Sequence, residues 1–129
     1  MPIPKDLFRN PYESEINYFK SNPTVGGMAT EDNKIIINPF SSLSDQEKNS
    51  VSLNEYGSIL IRTVPNLKPT FKLTKDQENF LNSNSYKNSN EQDRLDTIAG
   101  RLLSGDPSAG TPTIEQLKFI NLLENHINK

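Results

Sequence analysis

Four times along this chain a Ser or Thr is followed three residues later by Glu or Gln, just ahead of an apolar run: Ser44 to Glu47, Thr74 to Gln77, Ser89 to Gln92 and Thr113 to Gln116. Such a pair satisfies two of the free N–H groups at a helix start, so each instance marks where a helix begins. A fifth start reads Asn10-Pro11-Tyr12-Glu13, with Asn10 as the cap and Pro11 in the first turn. The stops are as regular. Asn22-Pro23 closes the first helix, Pro65 and Pro69 bracket the loop after the second, and Ser104-Gly105-Asp106-Pro107 ends the fourth. A chain punctuated this way is committed to short helices joined by tight corners.

The apolar residues between these marks keep helical spacing. Tyr12, Ile16 and Phe19 share one face. Val51, Leu53, Tyr56, Ile59, Leu60 and Val64 give a broad face to a helix that runs to about Arg62. Phe80 and Leu81 lie on a short third helix, and Leu95, Ile98, Ala99, Leu102 and Leu103 on a fourth. Leu117, Ile120, Leu123 and Ile127 form the seam of the last. Gly57, inside the second helix, costs up to about 1 kcal/mol against Ala and marks a close helix contact. The segment "NSNSYKNSN" reads as a polar, mobile connector, and no internal repeat is evident.

Residues 26–40, "GGMATEDNKIIINPF", break the helical pattern. Ile35, Ile36 and Ile37 are β-branched and favour a strand. Glu31-Asp32-Asn33-Lys34 is turn chemistry, and Asn38-Pro39 is a stop. A β-hairpin with about five residues per arm, its glycines serving close backbone approach, is the simplest account. A lone hairpin is marginal in water, so it must lie on the helices or on another chain. Residues 1–10, with Pro2 and Pro4 among Ile3, Leu7 and Phe8, read as an extended arm that docks.

Composition narrows the chemistry. At 129 residues the chain is one domain's length, with an apolar fraction of only 33%. A formal charge of −2 offers no basic stripe for nucleic acid. No apolar run reaches the roughly 18 residues that span a bilayer. The absence of cysteine excludes disulfides, thiolate nucleophiles and thiolate metal sites. His126 is the single histidine, placed at a helix C-terminus where the dipole favours a cation. The hairpin-then-helix order is similar in layout to zincin metalloproteases. The helix reads Asn54-Glu55-Tyr56-Gly57-Ser58, with the Glu but neither histidine, so no metal is held there. Glu55 therefore reads as a solvent-facing or ion-paired residue. Asp93, Arg94, Asp96 and Arg101 share one helix, where a solvated face with weak ion pairs is the ordinary reading. "SGDPSAG" has two glycines but no phosphate-loop Lys, and reads as a helix–helix corner.

The segments "NPYESEINYFKSNPTVGGMATEDNKIIINPFSSLSDQEK" and "NEQDRLDTIAGRLLSGDPSAGTPTIEQ" resemble a small uncharacterised protein family of tailed bacteriophages of marine bacteria. The resemblance covers residues 10–116 and implies a phage context, in the virion or the host cytoplasm, but no activity.

The sequence thus predicts a single, mainly α domain over residues 1–129. Four to five helices pack together, with one small β-hairpin between the first two. The expected function is non-enzymatic protein–protein binding or self-association, without cofactor or metal, through the hairpin edge and a polar helix face: Ile35, Ile36, Ile37, Glu55, Arg94 and Arg101. Two alternatives stay open, a small carboxylate-dependent hydrolase or lytic factor and a host-directed regulatory binder. A desolvated carboxylate in a pocket favours the hydrolase.

Overall fold

A computed structural model describes residues 3–83 and 86–128. It is mainly helical: α1 (Glu13–Ser21), β1 (Gly27–Ala29), β2 (Ile35–Ile37), α2 (Asp45–Thr63), α3 (Lys75–Asn82), α4 (Glu91–Ser104) and α5 (Ile114–Ile127). The hairpin stands between the first two helices, as the sequence predicts. Its arms are three residues long rather than five. The turn is closed by the Thr30 hydroxyl, which takes the Lys34 N–H at 2.9 Å, and by Asn33 at φ 60°. Asn38 ends β2 with its side chain turned inward: Nδ2 donates to the Val25 carbonyl at 2.7 Å, and Oδ1 accepts from the Phe40 N–H at 2.8 Å. That satisfies an amide that is almost fully buried.

Two helix starts differ from expectation. α1 begins at Glu13, because Glu15 rather than Asn10 meets the free N–H groups: its Oε1 takes the Tyr12 N–H at 2.7 Å. Arg9 holds that carboxylate in place, pairing with it at 2.7 and 2.9 Å. The same guanidinium also reaches Asp32 in the hairpin turn and lies 3.9 Å from the Tyr12 ring centre. α4 is capped by Asn90, not Ser89: its Oδ1 accepts from the Asp93 N–H at 2.8 Å. The arm docks as expected. Phe8 bridges Ile35 in parallel, and the Arg9 N–H reaches the Ile35 carbonyl at 3.2 Å. Of the arm and the connector, residues 1–2 and 84–85 lie outside the description.

The main core joins α2, α4 and α5 with Leu67, Phe71 and Leu81, and Ile35 enters it from the hairpin. Ile37 and Ala29 pack against the same cluster. Ile36 alternates to the opposite face; it and Phe19 of α1 are fully buried outside that cluster.

Two of the predicted caps turn out to be one joint. Gln77 and Gln116 are both fully buried and exchange amide bonds of 3.0 and 2.8 Å. Each oxygen also takes its own cap N–H, from Thr74 and Thr113. Each nitrogen also donates to a carbonyl, Ala109 for Gln77 and Lys72 for Gln116. Every donor and acceptor of both amides is used. The joint pairs a short repeat that the sequence reading missed, Thr-x-x-Gln-x-x-Phe at residues 74–80 and 113–119.

Candidate functional site

α2 and α4 cross at two glycines. A Cβ on Gly57 would meet Leu103 Cδ2 at 2.8 Å, and one on Gly100 would collide with the Asn54 side chain. The close crossing brings one stripe of each helix to a common groove: Val51, Glu55, Ser58 and Arg62 from α2, and Thr97 and Arg101 from α4. β1 forms the other wall. Gly26 and Gly27 lie so near Val51 that a Cβ on either would stand 2.8 or 3.0 Å from its methyl groups. Glycine is required here by space.

The hollow at the Glu55 end has a volume of about 640 Å³ and is lined also by Thr24, Tyr86 and Asp106. A second, of about 520 Å³, continues through Ser58, Tyr86 and Thr97 to Asp96 and Lys68. Glu55 is half-buried, not solvent-facing as its sequence position suggested. Burial pushes its carboxyl up to about 7, against the opposing pull of the Ala29 backbone N–H and of the Arg101 and Arg62 charges. Among the described residues it has no ion-pair partner. Asp96, also half-buried, is shifted upward chiefly by burial, while Gln92 Nε2 donates to it at 2.8 Å.

Both nearby arginines are occupied. Arg101 Nη1 holds Asp106 Oδ2 at 2.7 Å, and its guanidinium carbon lies 4.8 Å from the Phe80 ring centre. Its Nε is buried and has no hydrogen-bond partner among the described residues. Burial works to raise Asp106, but hydrogen bonds from Ser108 and Arg101 outweigh it and hold the carboxyl low. Arg62 donates to the Thr30 carbonyl at 2.7 Å and to Asn33 Oδ1 at 3.1 Å, tying α2 to the hairpin turn.

The edge of β1 completes the site. The Asn38 N–H reaches the Gly26 carbonyl and the Thr30 N–H the Lys34 carbonyl, so residues 26, 28 and 30 face β2. In an antiparallel pair the alternate residues point their backbone groups outward. Gly27 and Ala29 therefore present theirs on the outer edge, where the Ala29 N–H meets Glu55. No further strand pairs with β1 among the described residues.

Of the residues singled out from the sequence, the fold brings Glu55 and Arg101 together at this groove. Arg94 is elsewhere, binding Asn82 Oδ1 and the Tyr86 carbonyl at 3.2 Å each. Ile35 and Ile36 are fully buried and Ile37 is half-buried, so their side chains serve the core, and the arm already meets β2 at Ile35. Tyr86 and Asp106 were not picked as site residues, because their loop and turn carry no periodic signal, and Asn54 was not, because its place at the α2–α4 crossing depends on a distant helix. His126 occupies the last turn of α5. No group of His, Asp or Glu among the described residues is arranged to hold a metal ion, and no helix there is long and apolar enough to cross a membrane.

Fold and site together define a small helical domain carrying a polar groove edged by the outer side of β1, which pairs with β2 and, among the described residues, with no further strand. No family model, curated protein or solved structure matches the chain.

The Glu55 shift has a measurable consequence. A carboxyl whose folded pKa lies above its ordinary 4.5 favours the folded state when protonated. Its contribution is full below about pH 4.5 and is lost as pH rises through about 7. Glu55→Gln is expected to flatten that part of the stability profile and to stabilise the protein at pH 8 by about 1–3 kcal/mol. Urea unfolding of both proteins at pH 5 and pH 8 reads this directly. Equal stability differences at the two pH values would show that the carboxyl is solvated.

Proposed function

We propose that this protein is a non-enzymatic binding protein that holds an extended segment of another polypeptide along the outer edge of β1. The observation that carries the reading is the outer edge of β1, where Gly27 has no strand partner among the described residues and opens onto a polar groove; the neighbouring Ala29 N–H is held by Glu55, which an added strand would displace. Strand addition supplies affinity through main-chain hydrogen bonds, and the groove supplies selectivity. The segment resemblance adds a phage setting, tested by peptide mass spectrometry on purified particles.

Strand addition is tested by NMR titration of the labelled protein with blocked, extended peptides of alternating threonine and valine. Saturable shifts at the Gly27 and Ala29 amides, with slowed exchange at Gly27, are expected. Shifts scattered over the surface with no change at β1 would end the proposal.

A second reading, a carboxyl-dependent hydrolase, is favoured by Glu55 alone: a carboxyl that keeps its proton near neutral pH, in an open hollow, suits a general acid. It requires that the protein release soluble fragments from bacterial cell walls and that Glu55→Gln abolish the release.

A further inference from the structure

Resting on strand addition, the groove says what the added strand carries. Side chains of paired residues on adjacent strands stand about 4.5–5.5 Å apart on the same face. A Cβ on Gly27 would crowd the Ile36 carbonyl at 2.6 Å within the hairpin and Val51 at 3.0 Å above it, so the face on which Gly27 lacks a side chain is the α2 side. A residue paired with Gly27 therefore points at α2, where Glu55 lies one turn beyond Val51. Among the described residues Glu55 makes no ion-pair contact, and the two arginines whose charges reach it are engaged elsewhere. Arg101 is committed to Asp106, Arg62 to Thr30 and Asn33, and the adjoining hollow adds Asp93 and Asp96 against Lys68.

We infer that the residue of the bound segment lying opposite Gly27 is basic, its ammonium or guanidinium group paired with Glu55 inside the hollow. Such a pair replaces the hydration that burial removes from the carboxylate. It also drives the proton off Glu55, so binding is coupled to proton release.

The experiment uses three blocked seven-residue peptides of alternating threonine and valine, with lysine, norleucine or glutamate at the centre. Each is titrated into the full chain at pH 7 by calorimetry in two buffers of different ionisation enthalpy, with amide shifts followed in parallel. The lysine peptide is expected to bind at least about tenfold tighter than the norleucine peptide, and the glutamate peptide weakest. Only the lysine peptide should release a proton, roughly half a proton per peptide for a group that is half ionised at pH 7. In Glu55→Gln the lysine preference and the proton release should both vanish. Equal binding of all three at β1, without proton release, overturns the basic residue and leaves strand addition standing. Failure of all three to shift Gly27 and Ala29 removes strand addition, and this inference with it. A lysine preference whose shifts fall on Asp93 and Asp96 rather than β1 is a surface ion contact and overturns the inference alone.

Discussion

Gln77→Glu is expected to destabilise the protein by about 3–5 kcal/mol at pH 8. The substitution keeps size and shape but removes two N–H donors. The Ala109 carbonyl loses its side-chain donor, Gln116 Oε1 keeps only the Thr113 N–H, and a charge is placed where the side chain is fully buried. Against a typical stability of about 5–15 kcal/mol the loss is severe. The pH dependence has a fixed sign. Burial beside the Gln116 oxygen raises the new carboxyl's folded pKa above its unfolded value, so the penalty is greatest above that pKa and shrinks as pH falls through it. Protonation returns one O–H donor, so unfolding at pH 5 should show part of the loss recovered. Gln46→Glu, in the exposed first turn of α2, is the control and should change stability by no more than about 0.5 kcal/mol. A loss below about 1 kcal/mol at residue 77 would mean that the joint opens to water in solution.

That contrast also measures what sequence reasoning reaches. The boxes at residues 44, 74 and 113 were all legible as helix starts, because capping is local chemistry. The exposed box uses Glu47 and the two buried ones use Gln, a difference with a physical cause: a carboxylate is comfortable in water, whereas a buried group there must also donate. Read alone, Gln and Glu are equivalent at that position, so the joining of α3 and α5 stayed hidden. Gly105 was legible for the same local reason. It adopts φ 72°, and the Asp106 N–H returns to the Arg101 carbonyl at 2.9 Å. The three isoleucines announced a strand but not which face each would take, and a one-residue shift exchanges them. Glu55 looked solvated because the segments that desolvate it, the edge of β1, Tyr86 and Asp106, come from three distant parts of the chain. Long-range placement leaves no periodic trace, and the site is made almost wholly of it.

Gly100→Ala should be the second costly change, although a local argument predicts the opposite. Alanine in a helix interior is favoured over glycine by about 1 kcal/mol, and no left-handed φ at residue 100 demands glycine. The obstacle is space. A Cβ there runs into Asn54 Oδ1, and it stands 3.2 Å from Asn54 Cγ and 3.3 Å from the Asn54 carbonyl oxygen. The amide can rotate away, but the carbonyl belongs to the backbone of α2 and yields only if the helices separate. Overpacking of this kind costs about 1–3 kcal/mol. Gly57→Ala, on the other side of the crossing, meets mainly the tip of Leu103, a flexible methyl group, and should cost less than half as much. Adding Asn54→Ala to Gly100→Ala removes the side-chain collision and leaves the backbone one, so the double variant should recover part but not all of the loss. A coupling energy above about 1 kcal/mol in that cycle would place the two residues in direct conflict. The same displacement moves Thr97 and Arg101 away from Glu55, so Gly100→Ala should also solvate Glu55 and bring its carboxyl back toward the ordinary range. If stability falls while the Glu55 titration stays near 7, the helices have accommodated the methyl group by local adjustment at Asn54, and the glycine crossing does not set the width of the groove.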